Sequence, residues 1–225
     1  MYAENKQTRN SNLDIPEIYK IWSFELSDFQ KDAVCSIYNN NDTLVCAPTG
    51  SGKTLPAEFA IHLFNERGRK VIYTTPVKAL SNEKFNDLSK KFPNISFGLL
   101  TGDNKFNPEA DVVVMTTEIL LNTLNKMSSL TLKEGKIKEA LRETLDFDID
   151  LNQLGAVIFD EIHYINDPDR GPVWEKSIMK LPKTTIYIGL SATIHGPEKL
   201  CKWSQTPSPL GAGRGKMILC ETYHR

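Results

Sequence analysis

Thr43-Leu-Val-Cys-Ala-Pro-Thr-Gly-Ser-Gly-Lys-Thr54 (TLVCAPTGSGKT) carries a short apolar run into a glycine-rich turn, and Lys53–Arg67 after it has the length and apolar spacing of a helix. A strand, a glycine loop and a helix in that order open a βα unit. In such a loop Gly50 and Gly52 let the backbone curl so that successive N–H groups point inward, and the dipole of the following helix adds partial positive charge. Pro48, Thr49, Gly50, Ser51, Gly52, Lys53 and Thr54 therefore form a cradle for the phosphates of a nucleotide. Within it Lys53 reaches the β/γ-phosphates and the Thr54 hydroxyl is a hard ligand for Mg2+. Ala47 stands where the strict pattern has Gly. Pro56 falls in the first helical turn, where its missing N–H has no helical partner. No Asn-Lys-x-Asp run of a guanine reader occurs, which disfavours a GTPase.

Outward from this unit the chain keeps alternating. Thr43–Ala47, Lys70–Thr75, Ile95–Leu100, Asp111–Thr116, Leu154–Asp160 and Thr184–Ser191 are β-rich and apolar almost throughout, with Lys216–Glu221 a last edge strand. Nearly continuous apolar strands are those buried on both faces, and Lys53–Arg67, Val77–Lys91 and Gly196–Ser204 are long enough to be crossover helices. The expected fold class is α/β, a mostly parallel central sheet of about seven strands between layers of helices, with ligands beyond the carboxyl ends of the strands. Residues 1–18 are polar and Asn-rich and read as a flexible leader, leaving 19–225 as one domain. Asn122–Gln153 is long and charged, with Leu132, Ile137, Ala140, Leu141 and Leu145 near helical spacing, and reads as a helical surface insertion that a protein partner could recognise. Thr206–Gly215 is Pro/Gly-rich and reads as a loop.

Composition limits the partners. With 27 Lys and Arg against 28 Asp and Glu, the net charge is −1, so no global field marks a polyanion partner and any nucleic-acid contact must be local. Backbone N–H groups, hydroxyls and helix N-termini can make that contact. No apolar run approaches the ~18 residues of a membrane span, and no apolar N-terminal segment resembles a secretory signal. The expected location is intracellular, cytoplasmic or nuclear. Cys35, Cys46, Cys201 and Cys220 lack metal-ligand spacing and read as reduced, buried thiols.

Val157-Ile-Phe-Asp160-Glu-Ile-His163 is an apolar strand that ends in two acids. Asp160, where the strand leaves the sheet, would hold Mg2+ directly or through water, and Glu161 would orient and deprotonate an attacking water. Alone such acids would be a helix cap and a surface charge; beside a phosphate loop they read as catalytic.

DEIH with Tyr164 and the continuation INDPDRGPVWE (Asp160–Glu175) resemble the DExH-box helicases of superfamily two, specifically the superkiller and exosome-associated RNA helicases. The resemblance runs from Phe24 to about Arg225 with seven motifs in family order. It implies a RecA-like three-layer sandwich, the first of two such domains, that binds ATP and Mg2+ and couples hydrolysis to movement along RNA. It implies that Phe24 stacks on adenine and Gln30 bonds its edge. Pro76, Lys78, Ala79 and Asn82 of TPVKALSN (Thr75–Asn82), Thr101-Gly102-Asp103, and Thr116-Thr117-Glu118 match the motifs that follow the nucleic-acid backbone. Glu83 stands where the family usually has Gln. Ser191-Ala192-Thr193 matches the motif that couples hydrolysis to strand movement, by hydrogen bonding toward His163 or Asp160. His62, His195 and His224 carry no readable role.

The resemblance further implies that a second RecA-like domain supplies arginine fingers, so this chain alone is expected to hydrolyse ATP negligibly. Two alternatives stand beside an RNA helicase: a DNA helicase or translocase of the same superfamily, which the NDPDRG continuation disfavours, and a non-catalytic nucleotide switch, which the intact Lys53, Thr54, Asp160 and Glu161 disfavour.

Overall fold

Strand residues in this chain divide by parity between two cores, and that division builds the fold. The computed structural model describes residues 22–131, 150–192, 194–207, 209 and 211–222. The strands are β1 (Asp42–Cys46), β2 (Lys70–Thr75), β3 (Phe97–Thr101), β4 (Asn104–Phe106), β5 (Val112–Thr116), β6 (Leu154–Phe159), β7 (Ile186–Ser191) and β8 (Met217–Glu221). The helices are α1 (Asp28–Tyr38), α2 (Leu55–Glu66), α3 (Lys78–Lys91), α4 (Thr117–Thr131), α5 (Gly171–Lys180) and α6 (Pro197–Gln205).

Val45, Val71, Tyr73, Val112, Val114 and Ile158 point to one face, where Phe29, Ala33 and Ile37 of α1, Phe59 and Phe64 of α2 and Leu88 of α3 meet them. Leu44, Ile72, Val113, Met115, Val157 and Phe159 point to the other, against Leu120 and Leu124 of α4, Trp174 and Ile178 of α5 and Leu200 of α6. Side chains alternate along a strand, so a strand apolar at every position must be covered twice. Each fully buried Leu, Ile, Val or Phe contributes roughly 1.5–3 kcal/mol, which is why the three layers hold together.

The sheet has eight strands in the order β4-β3-β5-β2-β6-β7-β1-β8. Every pairing is parallel except that of β4 with β3. The seven expected strands are all present, and β8 lies at the expected edge. The eighth, β4, is a three-residue strand whose residues are all exposed, so no hydrophobic pattern marks it. Residues 122–131, read from the sequence as the start of an insertion, are instead the continuation of α4, and Leu124 is buried in the core. The centre of that segment, residues 132–149, and the leader, 1–18, lie outside the described residues. Among the described residues no helix is long and apolar enough to cross a membrane.

The strand order places β7 between β1 and β6. The carboxyl ends of these three strands carry the phosphate loop, Ser191 and the two acids. A crevice there is where parallel sheets of this kind bind ligands.

Candidate functional site

The chain leaves β1 at buried Ala47 and passes through exposed Pro48, Thr49 and Gly50. Ser51 closes the turn by donating to the Pro48 carbonyl from both its N–H, at 3.2 Å, and its hydroxyl, at 2.7 Å. Gly50 and Gly52 have φ of 83° and 81°, in the left-handed region where a Cβ is strained. Thr54 caps α2, and Pro56 sits within the first two helical positions, where its ring fits.

Gln30 of α1 is buried and both ends of its amide are used: Oε1 accepts from the Ser27 N–H at 3.0 Å and Nε2 donates to the Gly52 carbonyl at 3.2 Å. A Cβ on Gly52 would fall 2.5 Å from that Nε2, so a side chain there would displace the Gln30 amide from the Gly52 carbonyl. Phe24, on the bend ahead of α1, is 56% exposed.

Across the crevice, β6 is buried along its whole length and ends at Asp160, which is itself only 5% exposed. Asp160 Oδ1 accepts from the Glu161 N–H at 3.0 Å, and Oδ2 accepts from the Tyr73 hydroxyl at 2.9 Å. Lys84 Nζ of α3 lies 3.9 Å from the same Oδ2. Burial pushes the Asp160 carboxyl above its usual range, while Lys84 and the Tyr73 bond act against the rise. Burial and the adjacent Asp160 raise the Tyr73 phenol well above its ordinary value, so it stays a donor.

Glu161 takes a left-handed conformation, φ 51° and ψ 46°, uncommon for a residue with a Cβ. That turn points its carboxylate back at the phosphate loop, where Lys53 Nζ pairs with Oε1 at 3.3 Å. His163 Nδ1 stands 3.2 Å from Glu161 Oε2 without meeting hydrogen-bond geometry. The fold thus brings Lys53, Asp160, Glu161 and His163 together. Of the motif expected to bond toward His163 or Asp160, Ser191 makes no such bond: its hydroxyl is buried without a partner, and its carbonyl accepts from the Ala47 N–H at 3.0 Å. Ala192 is half-buried and Thr193 lies outside the described residues.

Among the described residues no cluster of three or more His, Cys, Asp or Glu could cage a metal. Mg2+ beside a nucleotide takes one or two protein oxygens, phosphates and water, and the carboxylate of Asp160, buried at the mouth of the phosphate loop where desolvation disfavours its bare charge, fits that donor set. Cys46, which precedes the loop, is not an activated thiol, since burial pushes it up to about 12.

The second group of sequence candidates lines the same edge farther along, at the ends of β2, β3 and β5. Thr75 Oγ1 shares a hydrogen with Ser81 at 2.7 Å, which locks the turn from β2 into α3 and leaves Lys78 and Ala79 exposed and Asn82 half-buried. Lys78 pairs with Asp103, which follows Gly102 in the turn between β3 and β4. Thr101 is buried with an unpartnered hydroxyl. Thr116 ends β5, Thr117 Oγ1 donates to the Thr75 carbonyl at 3.4 Å, and Glu118 accepts from Arg170 at 3.1 Å. Arg170 also donates to the carbonyl of buried Pro76.

Sequence reasoning missed Tyr73, Lys84 and Arg170. A tyrosine hydroxyl inside an apolar strand was the available signal for the first. The other two are single cations among many, and only the fold selects them.

A family model described as DEAD/DEAH box helicase matches residues 27–200. The antiviral helicase SKI2 of Saccharomyces cerevisiae is 39% identical over 88% of this chain and 14% of its own length. The human exosome RNA helicase MTR4 is 41% identical over 82% of this chain and 16% of its own length. The chain therefore spans about a sixth of the curated relatives it matches. The structure of the Mycobacterium smegmatis helicase Lhr bound to single-stranded DNA and AMP-PNP superposes with a TM-score of 0.60 at 28% identity, covering 93% of this chain and 27% of that one. With the phosphate loop facing Asp160 and Glu161 across β7 in a RecA-like sheet, these similarities assign the chain to the DEAD/DEAH box helicase family, in its superkiller-type DExH-box branch.

Proposed function

We propose that this chain is the ATP-binding RecA-like domain of an ATP-dependent RNA helicase that uses hydrolysis to move along RNA and separate its strands. The observation that carries the reading is the ion pair of Lys53 with Glu161 above buried Asp160, which puts the phosphate-binding, water-activating and metal-holding groups in one crevice. Pro48 to Thr54 cradle the triphosphate, Phe24 covers the adenine, and Gln30, already tied to Gly52, reads the base edge beside the loop. Thr54 and Asp160 would hold Mg2+, which would offset the negative charge of the phosphates. Phosphates draw Lys53 from Glu161, and the freed carboxylate, with His163 beside it, orients the attacking water and takes its proton.

The segments that carry Pro76, Lys78, Ala79, Asn82, Thr101, Gly102, Asp103, Thr116, Thr117 and Glu118 face the RNA backbone through exposed Lys78, Ala79, Gly102 and Asp103 and the N-terminus of α3, while buried Pro76, Thr101 and Thr117 hold the shape of those segments. Ser191, which ends β7 between the strands of the loop and the acids, carries the nucleotide state to that surface together with Ala192 and Thr193 of the same motif. A second RecA-like domain of the same protein supplies the arginine fingers, segment 122–153 offers a surface to a protein partner, and the protein works inside the cell, in cytoplasm or nucleus. MTR4 is named an RNA helicase, while Lhr is bound to DNA.

The test is strand-stimulated ATP hydrolysis by the whole protein that carries this domain, with RNA and DNA oligonucleotides of one sequence. Stimulation by RNA with loss in Glu161→Gln supports the proposal. Preference for DNA assigns the DNA-helicase reading, and strand-dependent function untouched by Glu161→Gln assigns a non-catalytic switch.

A further inference from the structure

Arg170 enters α5 from a backbone that is fixed on several sides. Asp167 Oδ1 accepts from the N–H groups of Asp169 and Arg170, both at 2.9 Å. The Gly171 N–H donates to the Asp167 carbonyl at 2.8 Å, and a Cβ on Gly171 would come 2.3 Å from the Ile165 carbonyl oxygen, so a side chain there would push the turn open. The guanidinium so held donates to Pro76 O, in the loop after β2, and to Glu118 Oε1, in the first turn of α4. Its Cζ lies 4.8 Å from the Tyr164 ring centroid and 5.5 Å from that of Trp174.

The other side of this contact leads back to the nucleotide crevice. The rings of Tyr164 and His163 stack with centroids 5.0 Å apart and planes 30° apart, and Tyr164 lies nearly parallel to Trp174, at 17°. His163 touches Glu161, and Glu161 holds Lys53. An unbroken series of contacts therefore runs from the phosphate-loop lysine through Glu161, His163, Tyr164 and Arg170 to Pro76 and Glu118. One guanidinium nitrogen, Nη2, donates to both acceptors while the guanidinium plane lies over the Tyr164 ring, and a lysine ammonium has no plane to stack there.

We propose that Arg170 is a positioning residue that couples the nucleotide crevice to the strand-facing segments, holding the loop after β2 and the first turn of α4 in a spacing set by the state of Glu161 and His163. This rests on the reading of those two segments as nucleic-acid contacts. When phosphates take Lys53, Glu161 changes partner, and His163, in contact with it, shifts its stack with Tyr164. The guanidinium on Tyr164 then carries the change to Pro76 and Glu118 together.

The experiment measures binding of a fluorescent single-stranded RNA, and of a DNA of the same sequence, to the whole protein that carries this domain, with and without a non-hydrolysable ATP analogue. The analogue's own affinity is measured in parallel. In the wild type the analogue should change strand affinity about fivefold or more, and the strand should change analogue affinity by the same factor. In Arg170→Ala that factor should fall to within about twofold of unity while analogue affinity without strand stays at the wild-type value. Arg170→Lys, with charge but no plane to stack, should lie between.

A factor unchanged in Arg170→Ala overturns the proposal, as does an equal loss of strand-free analogue affinity in the folded variant, which marks a merely structural arginine. If circular dichroism shows Arg170→Ala unfolded, Arg170→Lys decides, and a wild-type factor there overturns the proposal. Failure of the wild type to bind either strand overturns the functional reading itself, and the role of Arg170 with it.

Discussion

The two oxygens of Asp160 meet different surroundings, one held by the backbone of Glu161 and the other facing Tyr73 and, at 3.9 Å, Lys84. Burial raises its pKa above the unfolded value, so the folded chain binds the proton more tightly than the unfolded one. The associated stability is present below the unfolded pKa and is lost as pH rises through the folded one, which makes ionised Asp160 a destabilising group at neutral pH. Asp160→Asn should therefore raise Tm at pH 7, and the gain should shrink as pH falls toward 4 in melts across that range; an equal or lower Tm at pH 7 contradicts this. Glu161 behaves differently, as its carboxylate pairs with Lys53. Removing its charge frees Lys53 for phosphate, so Glu161→Gln should bind a fluorescent ATP analogue at least as tightly as wild type while single-turnover hydrolysis falls by about 10²-fold or more, in the range of a lost general base. Weaker binding in this variant would mean that the ion pair prepares the loop for phosphate.

Elements are joined in this fold by a few buried polar contacts, and the strongest of them lies at the far end of the sheet from the crevice. Arg214, in the loop before β8, pairs with Asp42 at the start of β1 at 2.9 Å, with side-chain exposures of 2% and 4%. It also donates to the carbonyls of Leu181, Pro182 and Thr185, and Asp42 accepts from the Tyr187 N–H at 2.9 Å, so one arginine ties together β1, β7 and the approach to β8. Arg214→Met leaves the carboxylate buried and unpaired and should cost about 3–5 kcal/mol in urea unfolding, part of which Asp42→Asn in the same chain should restore. A loss under about 1 kcal/mol would show that water enters and solvates Asp42. Neither Arg214 nor Lys84 could be singled out in the sequence, because a contact across 172 residues leaves no period and no spacing behind. The strands were legible for the opposite reason: Leu154–Phe159 and Lys70–Thr75 are apolar nearly throughout because both faces are covered, and the phosphate loop needs its glycines in one local order. The start of α4 was hidden because Thr117 continues directly from β5 with no turn residues between them, and β4 because Asn-Lys-Phe buries nothing.

At the scale of the whole molecule, the crevice is built from one side. Pro48, Thr49, Gly50 and Gly52 are exposed, Phe24 is 56% exposed, and every group positioned around Lys53 comes from this sheet and its loops. On the proposed reading, N–H groups, Lys53 and Asp160 are enough to bind a nucleotide, while hydrolysis also needs a cation on the far side of the transferring phosphoryl group. In families of this resemblance that cation is an arginine of a second RecA-like domain, worth about 10³–10⁵ in rate. The 225-residue chain alone should therefore retain measurable binding of a fluorescent ATP analogue, while its hydrolysis lies about 10³-fold or more below that of the protein containing both domains. RNA should not stimulate the isolated chain, since the strand surface can influence hydrolysis only when the completing groups are present to be aligned. Both proteins should be assayed side by side with labelled ATP, with and without RNA. Strand-stimulated turnover by the chain alone at the rate of the longer protein would mean that this crevice contains its own completing cation. Lys84, the nearest unused cation to Asp160, would then be the first residue to substitute.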